Sequence, residues 1–147
     1  MRKIIIIVLM ILITGCGTKK MICELNVDNN NQNYKLIGKY EIRYQNNLVK
    51  NVSTTETYIS DNSQVIEYFD KYLTKTYKDF NKNYGNISYH KINKQNQISY
   101  KVVIDYSKID SKKLVKNGVI DKSNIRNKNI TISGLVDMYE AKGAKCN

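Results

Sequence analysis

The chain has 147 residues, 24 Lys+Arg against 13 Asp+Glu for a formal charge of +11, with three Cys, one His, no Pro and no Trp. That length suits one domain, able to bury roughly 70% of its unfolded surface. The composition excludes collagen-like and Pro-rich architectures, and a lone His90 excludes any centre built from several histidines.

The N-terminal segment differs from the rest. Met1-Arg2-Lys3 is a short basic head, Ile4 to Ile13 is unbroken apolar sequence, and Thr14-Gly15-Cys16 brings small residues. Ten apolar residues rise about 15 Å as a helix, half of a roughly 30 Å hydrocarbon core, so a signal-peptide h-region fits better than a spanning helix. Ile13-Thr14-Gly15-Cys16 resembles the bacterial lipobox, whose Cys is acylated with diacylglycerol and becomes the mature N-terminus. We therefore expect residues 1–15 to be a lipoprotein signal peptide and Cys16 to be the lipidation site. Removing those fifteen residues, Arg2 and Lys3 among them, leaves 132 residues and brings the charge from +11 to +9. Two acyl chains would give stable anchoring.

Residues 16–33 read as the lipidated N-terminus and a polar tether, closing in the low-complexity run Asp28-Asn29-Asn30-Asn31-Gln32-Asn33. Lys19 and Lys20 are the membrane-proximal basic pair. From Tyr34 to Tyr44 apolar and charged residues alternate, which marks a half-buried strand. Gln45-Asn46-Asn47 is turn chemistry, and Leu48 to Tyr58 is the returning strand of a hairpin. Asp61 and Gln64 have the spacing of a capping box. After it, Val65, Ile66, Phe69, Tyr72, Leu73, Tyr77, Phe80 and Tyr84 recur at helical spacing, and Gly85 ends the helix. A second hairpin spans Ile87 to Asn93 and Ile98 to Tyr106. Ser107 to Lys116 reads as a short helix ended by Gly118, Ile130 to Ile132 as a short extended piece, and Ser133 as the cap of a last helix ending near Gly143. The expected fold is α+β. A four-stranded antiparallel sheet in ββα-ββα order carries its helices on one face, with a C-terminal helix added. The single domain is 34–147.

The odd cysteine count resolves if Cys16 takes lipid, because Cys23 and Cys146 then remain as a candidate disulfide bracketing the domain. Two free or intermolecular thiols are the competing reading. Two thiols and one His are too few for a zinc site, so no metal is expected.

The residues Val103-Ile104-Asp105-Tyr106-Ser107-Lys108 and Tyr139-Glu140-Ala141-Lys142-Gly143-Ala144-Lys145, together with the lipobox and the element order, give a further resemblance. The chain is similar to small bacterial lipoproteins of the YehR-like family, a domain family of unknown function, over most of its mature length. The flanking cysteine pair departs from the enteric members. The resemblance implies an envelope lipoprotein and supplies no activity and no catalytic residues.

The residues themselves point away from catalysis. Nucleophilic chemistry needs a nucleophile, a base and an orienting group, and alternation places His90 on a solvent face. No Gly-rich phosphate loop is present, and the carboxylates are scattered. All twelve Tyr lie after the signal segment. They can build the core or form a binding row. The Lys excess is dispersed and only Arg2, Arg43 and Arg126 are Arg, which argues against nucleic acid. Anionic lipid headgroups or wall polymers suit such charge, although Lys, Ile and Asn also share AT-rich codons.

The expectation is a non-catalytic binding or structural module without cofactor, anchored through a diacylglyceryl group at the extracytoplasmic face of the cell membrane. The alternative is a small-ligand binding lipoprotein serving a transporter, which requires a pocket of about 300 Å³ or more on the sheet. An enzyme would require a cleft with two close acids.

Overall fold

The computed structural model describes residues 17–147, so the expected signal peptide and Cys16 lie outside the described residues. Three long strands come first: β1 (Lys19–Asn29), β2 (Tyr34–Gln45) and β3 (Leu48–Ile59). The long helix α1 (Ser63–Tyr84) follows, then the hairpin β4 (Ile87–Lys94) and β5 (Gln97–Asp105). The C-terminal part holds α2 (Ser111–Lys116), the two-residue strands β6 (Ile125–Arg126) and β7 (Asn129–Ile130), α3 (Ile132–Glu140) and β8 (Lys145–Cys146). The main sheet has six antiparallel strands in the order β4-β5-β3-β2-β1-β8.

The architecture is α+β and antiparallel as expected, but the sheet has six strands where four were expected. The polar tether expected over residues 16–33 is, from Lys19 to Asn29, strand β1. Its alternation was present in Met21, Cys23, Leu25 and Val27, which face the core, against Lys20, Glu24, Asn26 and Asp28 on the other side. The polar residues and the Asn run that follows hid that period of two. Pairing with β2 over its whole length supplies the partner that a strand needs to persist. The sixth strand is β8, two residues long, on the outer edge of β1.

Turn chemistry accounts for the hairpins. Asn46 and Asn47, at φ 51° and 63°, join β2 to β3 in a two-residue turn that requires left-handed backbone angles. Asn127 and Lys128, at φ 50° and 62°, do the same between β6 and β7. A bulge opposite Arg43 and Tyr44 changes the register of β3, so that Val49 and Val52 are both buried.

Caps differ in detail from the expected ones. Asn62, not Asp61, caps α1 by accepting the Gln64 N–H at 2.9 Å, while Asp61 accepts from the Asn96 side chain. The helix expected over 107–116 is divided. A 3-10 turn at Tyr106–Lys108 stops at Ile109, and Asp110 caps α2 afresh through the Lys112 N–H. Thr131, not Ser133, caps α3 through the Gly134 N–H at 3.2 Å.

The helices lie on one face of the sheet and bury it in two blocks. Ile66 and Leu73 of α1 pack on Tyr58, Ile98, Tyr100 and Val102. Leu135 and Tyr139 of α3 pack with Leu114 over Cys23, Tyr40, Ile42 and Val52. Six strands at about 4.8 Å spacing make a face about 24 Å wide, more than one helix of about 10 Å covers. Between the two blocks part of the face stays accessible. The opposite face is open to solvent. Across its middle run Glu24, Lys39, Thr55, Lys101 and His90, all but half-buried Thr55 exposed.

Candidate functional site: a tyrosine-lined cleft

The site begins with a glycine. Gly38 sits in the middle of β2, where a Cβ would stand 2.8 Å from the Tyr40 hydroxyl oxygen and 3.1 Å from its ring. Absence of a side chain at Gly38 lets the Tyr40 ring lean back along the strand. Gly38 pairs across the sheet with Glu56 of β3, and the leaning ring brings its hydroxyl to that residue. Tyr40 donates to Glu56 Oε1 at 2.9 Å.

Glu56 belongs to the inward phase of β3, with Val52, Thr54 and Tyr58, so its carboxylate rises beneath the helices. Tyr77 comes down from α1 and donates to Oε2 at 3.4 Å. Tyr139 of α3 stacks on Tyr40 with centroids 4.3 Å apart and planes at 27°. Both helical blocks and the sheet thus converge on one carboxylate through tyrosines. The space they enclose is a cleft of about 530 Å³, lined also by Tyr58, Tyr72 and Tyr106. Among the described residues Glu56 is the single acidic residue of the lining and Lys142, exposed, the single basic one.

The electrostatics keep these phenols neutral. Burial raises Tyr40 and Tyr77 far above the ordinary tyrosine value, and the neighbouring Glu56 charge adds to it. Tyr58 is raised by burial and then by Glu56, and Tyr139 mainly by burial. Burial alone pushes Tyr106 up to about 12. Each hydroxyl therefore carries its proton under physiological conditions and can donate to the carboxylate. Chemically the cleft offers aromatic faces, phenol donors and one carboxylate acceptor.

A second cluster flanks it. Tyr100, fully buried on β5, donates to Asp70 Oδ1 of α1 at 2.7 Å, and Lys91 of β4 reaches both Asp70 oxygens at 3.0 Å. Partial burial pushes the Asp70 carboxyl up, but the Tyr100 and Lys91 contacts outweigh it and hold the group below its ordinary value. This cluster fastens α1 to β4 and β5.

The residues singled out in the sequence lie elsewhere. Cys23 and Cys146 face each other directly across β1 and β8 with their sulfurs at bonding distance, 123 residues apart in the chain. Lys19 and Lys20 are not on a free tether: they open β1, exposed, opposite Tyr44 and Arg43. Lys20 shares Glu41 with Arg43, at 3.5 Å and 3.2 Å. His90 stands exposed on the open face of the sheet. Among the described residues no group of three His, Cys, Asp or Glu side chains is placed to hold a metal ion, and no helix is long and apolar enough to cross a membrane. The cleft residues Gly38 and Glu56 were not singled out. The available signal was an acid in the apolar phase of a strand between Thr54 and Tyr58.

No family model matches the chain, and no curated protein matches it. Two solved structures do. The NMR structure of the E. coli YehR protein is 18% identical with a TM-score of 0.54, over 88% of this chain and 92% of that one. The NMR structure of a protein from Streptococcus pneumoniae TIGR4 is 11% identical with a TM-score of 0.53, over 89% of this chain and 86% of that one. At such identities the likeness is one of fold, and the chain has a YehR-like fold.

Proposed function

We propose that this chain is a lipid-anchored, extracytoplasmic binding module that takes a small ligand in the cleft between α1 and α3. The observation that carries the reading is the cleft itself. Its volume of about 530 Å³ falls within the usual range for small-molecule sites, about 300–1,000 Å³, with mostly aromatic and apolar walls and few convergent polar groups. Tyr and Glu there are held by cross-strand and helix-to-sheet contacts, so the site is formed before any ligand arrives. Anchoring through Cys16 rests on the lipobox. Because β1 starts at Lys19, only three residue steps would separate the acylated Cys16 from the sheet, at most about 11 Å.

The test is amide-resolved NMR of the full chain in detergent, titrated with a small panel of neutral, cationic, anionic and aromatic fragments. Saturable shifts confined to cleft residues such as Tyr77, Leu36 and Met138 are expected. A panel that moves no cleft amide, or moves only the open face of the sheet, would reject the reading. Labelling cells with palmitate tests the anchor: incorporation should disappear with Cys16→Ser.

A further inference from the structure

Resting on that reading, we propose that the cleft selects a compact organic cation, an alkylammonium group, with Glu56 as its counter-charge and the surrounding tyrosine rings as its walls. The argument begins with an asymmetry in the ion pairs. In a chain with 24 basic and 13 acidic residues, the other half-buried carboxylates have basic partners. Asp70 has Lys91 at 3.0 Å, Glu41 has Arg43 at 3.2 Å, and Asp105 has Lys108 at 2.9 Å. Among the described residues Glu56 has no basic side chain within ion-pair distance, although it stands on a central strand beneath two helices. Only phenols reach it, Tyr40 on one oxygen and Tyr77 on the other.

Taking a carboxylate out of water is costly, and two neutral donors offset only part of that cost. An ionised carboxylate offers about four lone-pair sites. Two are occupied by the tyrosines, so sites remain for N–H donors from a ligand. The walls match the same charge. Aromatic faces attract ammonium groups within about 6 Å of the ring centroid, more strongly where water is excluded. Neutral phenols preserve that attraction, and burial keeps these phenols neutral. An anion would meet Glu56 unfavourably, and the one basic lining residue, Lys142, is exposed.

The experiment titrates the full chain in detergent with four probes: butylammonium chloride, tetramethylammonium chloride, 1-butanol and sodium butyrate. Calorimetry and amide NMR are the readouts. We expect cleft-localised binding of both ammonium probes at least tenfold tighter than that of 1-butanol, and none of butyrate. Glu56→Gln should weaken the ammonium probes at least tenfold while leaving 1-butanol unchanged, with the amide spectrum reporting that the fold is kept. Tyr72→Leu removes an exposed ring of the lining and guards against a Glu56 variant that does not fold. It should weaken tetramethylammonium about two- to fivefold, the value of one exposed cation–π contact, and 1-butanol less. Binding of 1-butanol or butyrate as tight as that of the ammonium probes overturns the cation inference and leaves the binding reading standing. Silence of the cleft toward these probes and the wider fragment panel overturns both.

Discussion

The Tyr40 hydroxyl meets Glu56 Oε1 at 2.9 Å over a glycine. Gly38, cross-strand neighbour of Glu56 and two residues before Tyr40, leaves the volume in which the ring lies. Tyr40 is buried and stacked on Tyr139, so neither ring can retreat freely.

Gly38→Ala should therefore displace Tyr40 and break its bond to Glu56. We expect a loss of about 1–3 kcal/mol, as for overpacking of a tight interior, read as a lower urea midpoint. Unchanged stability with the Tyr40 resonances in place would contradict this account.

Gly134 of α3 is a second close approach, where a Cβ would collide with Asn124 Cβ. That neighbour is the root of its side chain and cannot swing away. Gly134→Ala should cost at least as much as Gly38→Ala and shift amides along Lys122–Asn124. A cost below that of Gly38→Ala would mean the loop gives way easily.

Reduction of the Cys23–Cys146 pair should add two hydrogens to the mass of the oxidised chain and lower its unfolding midpoint. Opening a closure of 123 residues is worth up to about 5 kcal/mol in the chain-entropy model. Strand β8 has two residues and holds the terminus through Ile22 and Asn147, whose mutual backbone bonds are 3.1 and 2.8 Å. Their amides should exchange faster with solvent once the bridge is open, before those of β2 or β3.

Acid should weaken the α1 anchor. Asp70 is held below its ordinary value, so its contribution to stability is full above the unfolded aspartate range, near pH 4, and is lost as pH falls through the lower folded value. Asp70→Asn should lower stability at pH 7 and flatten the acid limb of the stability profile. An acid limb as steep as in the parent chain would assign it to other carboxylates.

Alkali acts through the cleft. Tyr40, Tyr58, Tyr77 and Tyr139 have folded values raised well above the unfolded one, so the stability they contribute is complete below about pH 10 and declines as pH rises past it. Absorbance at alkaline pH should show six phenols, these four together with Tyr100 and Tyr106, withheld above the ordinary tyrosine range. Smooth titration of all twelve in the folded state would place these hydroxyls in water.

What could be read from the chain alone were properties that repeat within a few residues. The alternation from Tyr34 to Tyr58 marked a hairpin, the three- and four-residue spacing from Val65 to Tyr84 marked α1, and Asn46-Asn47 marked their turn. Two cysteines at opposite ends of one domain were readable as a pair. Strand β1 escaped because its apolar phase is carried by only four residues beside an Asn-rich turn, and only pairing with β2 reveals it. The cleft was not legible for a deeper reason. Glu56, Tyr77 and Tyr139 lie on three separate elements, and no local pattern tells which carboxylate will stand beneath the gap between two helices. That depends on the width of a six-stranded sheet against two helices, a balance set by contacts distant in sequence. Local periodicity determined the elements, and long-range packing decided where a charge and its tyrosines would meet.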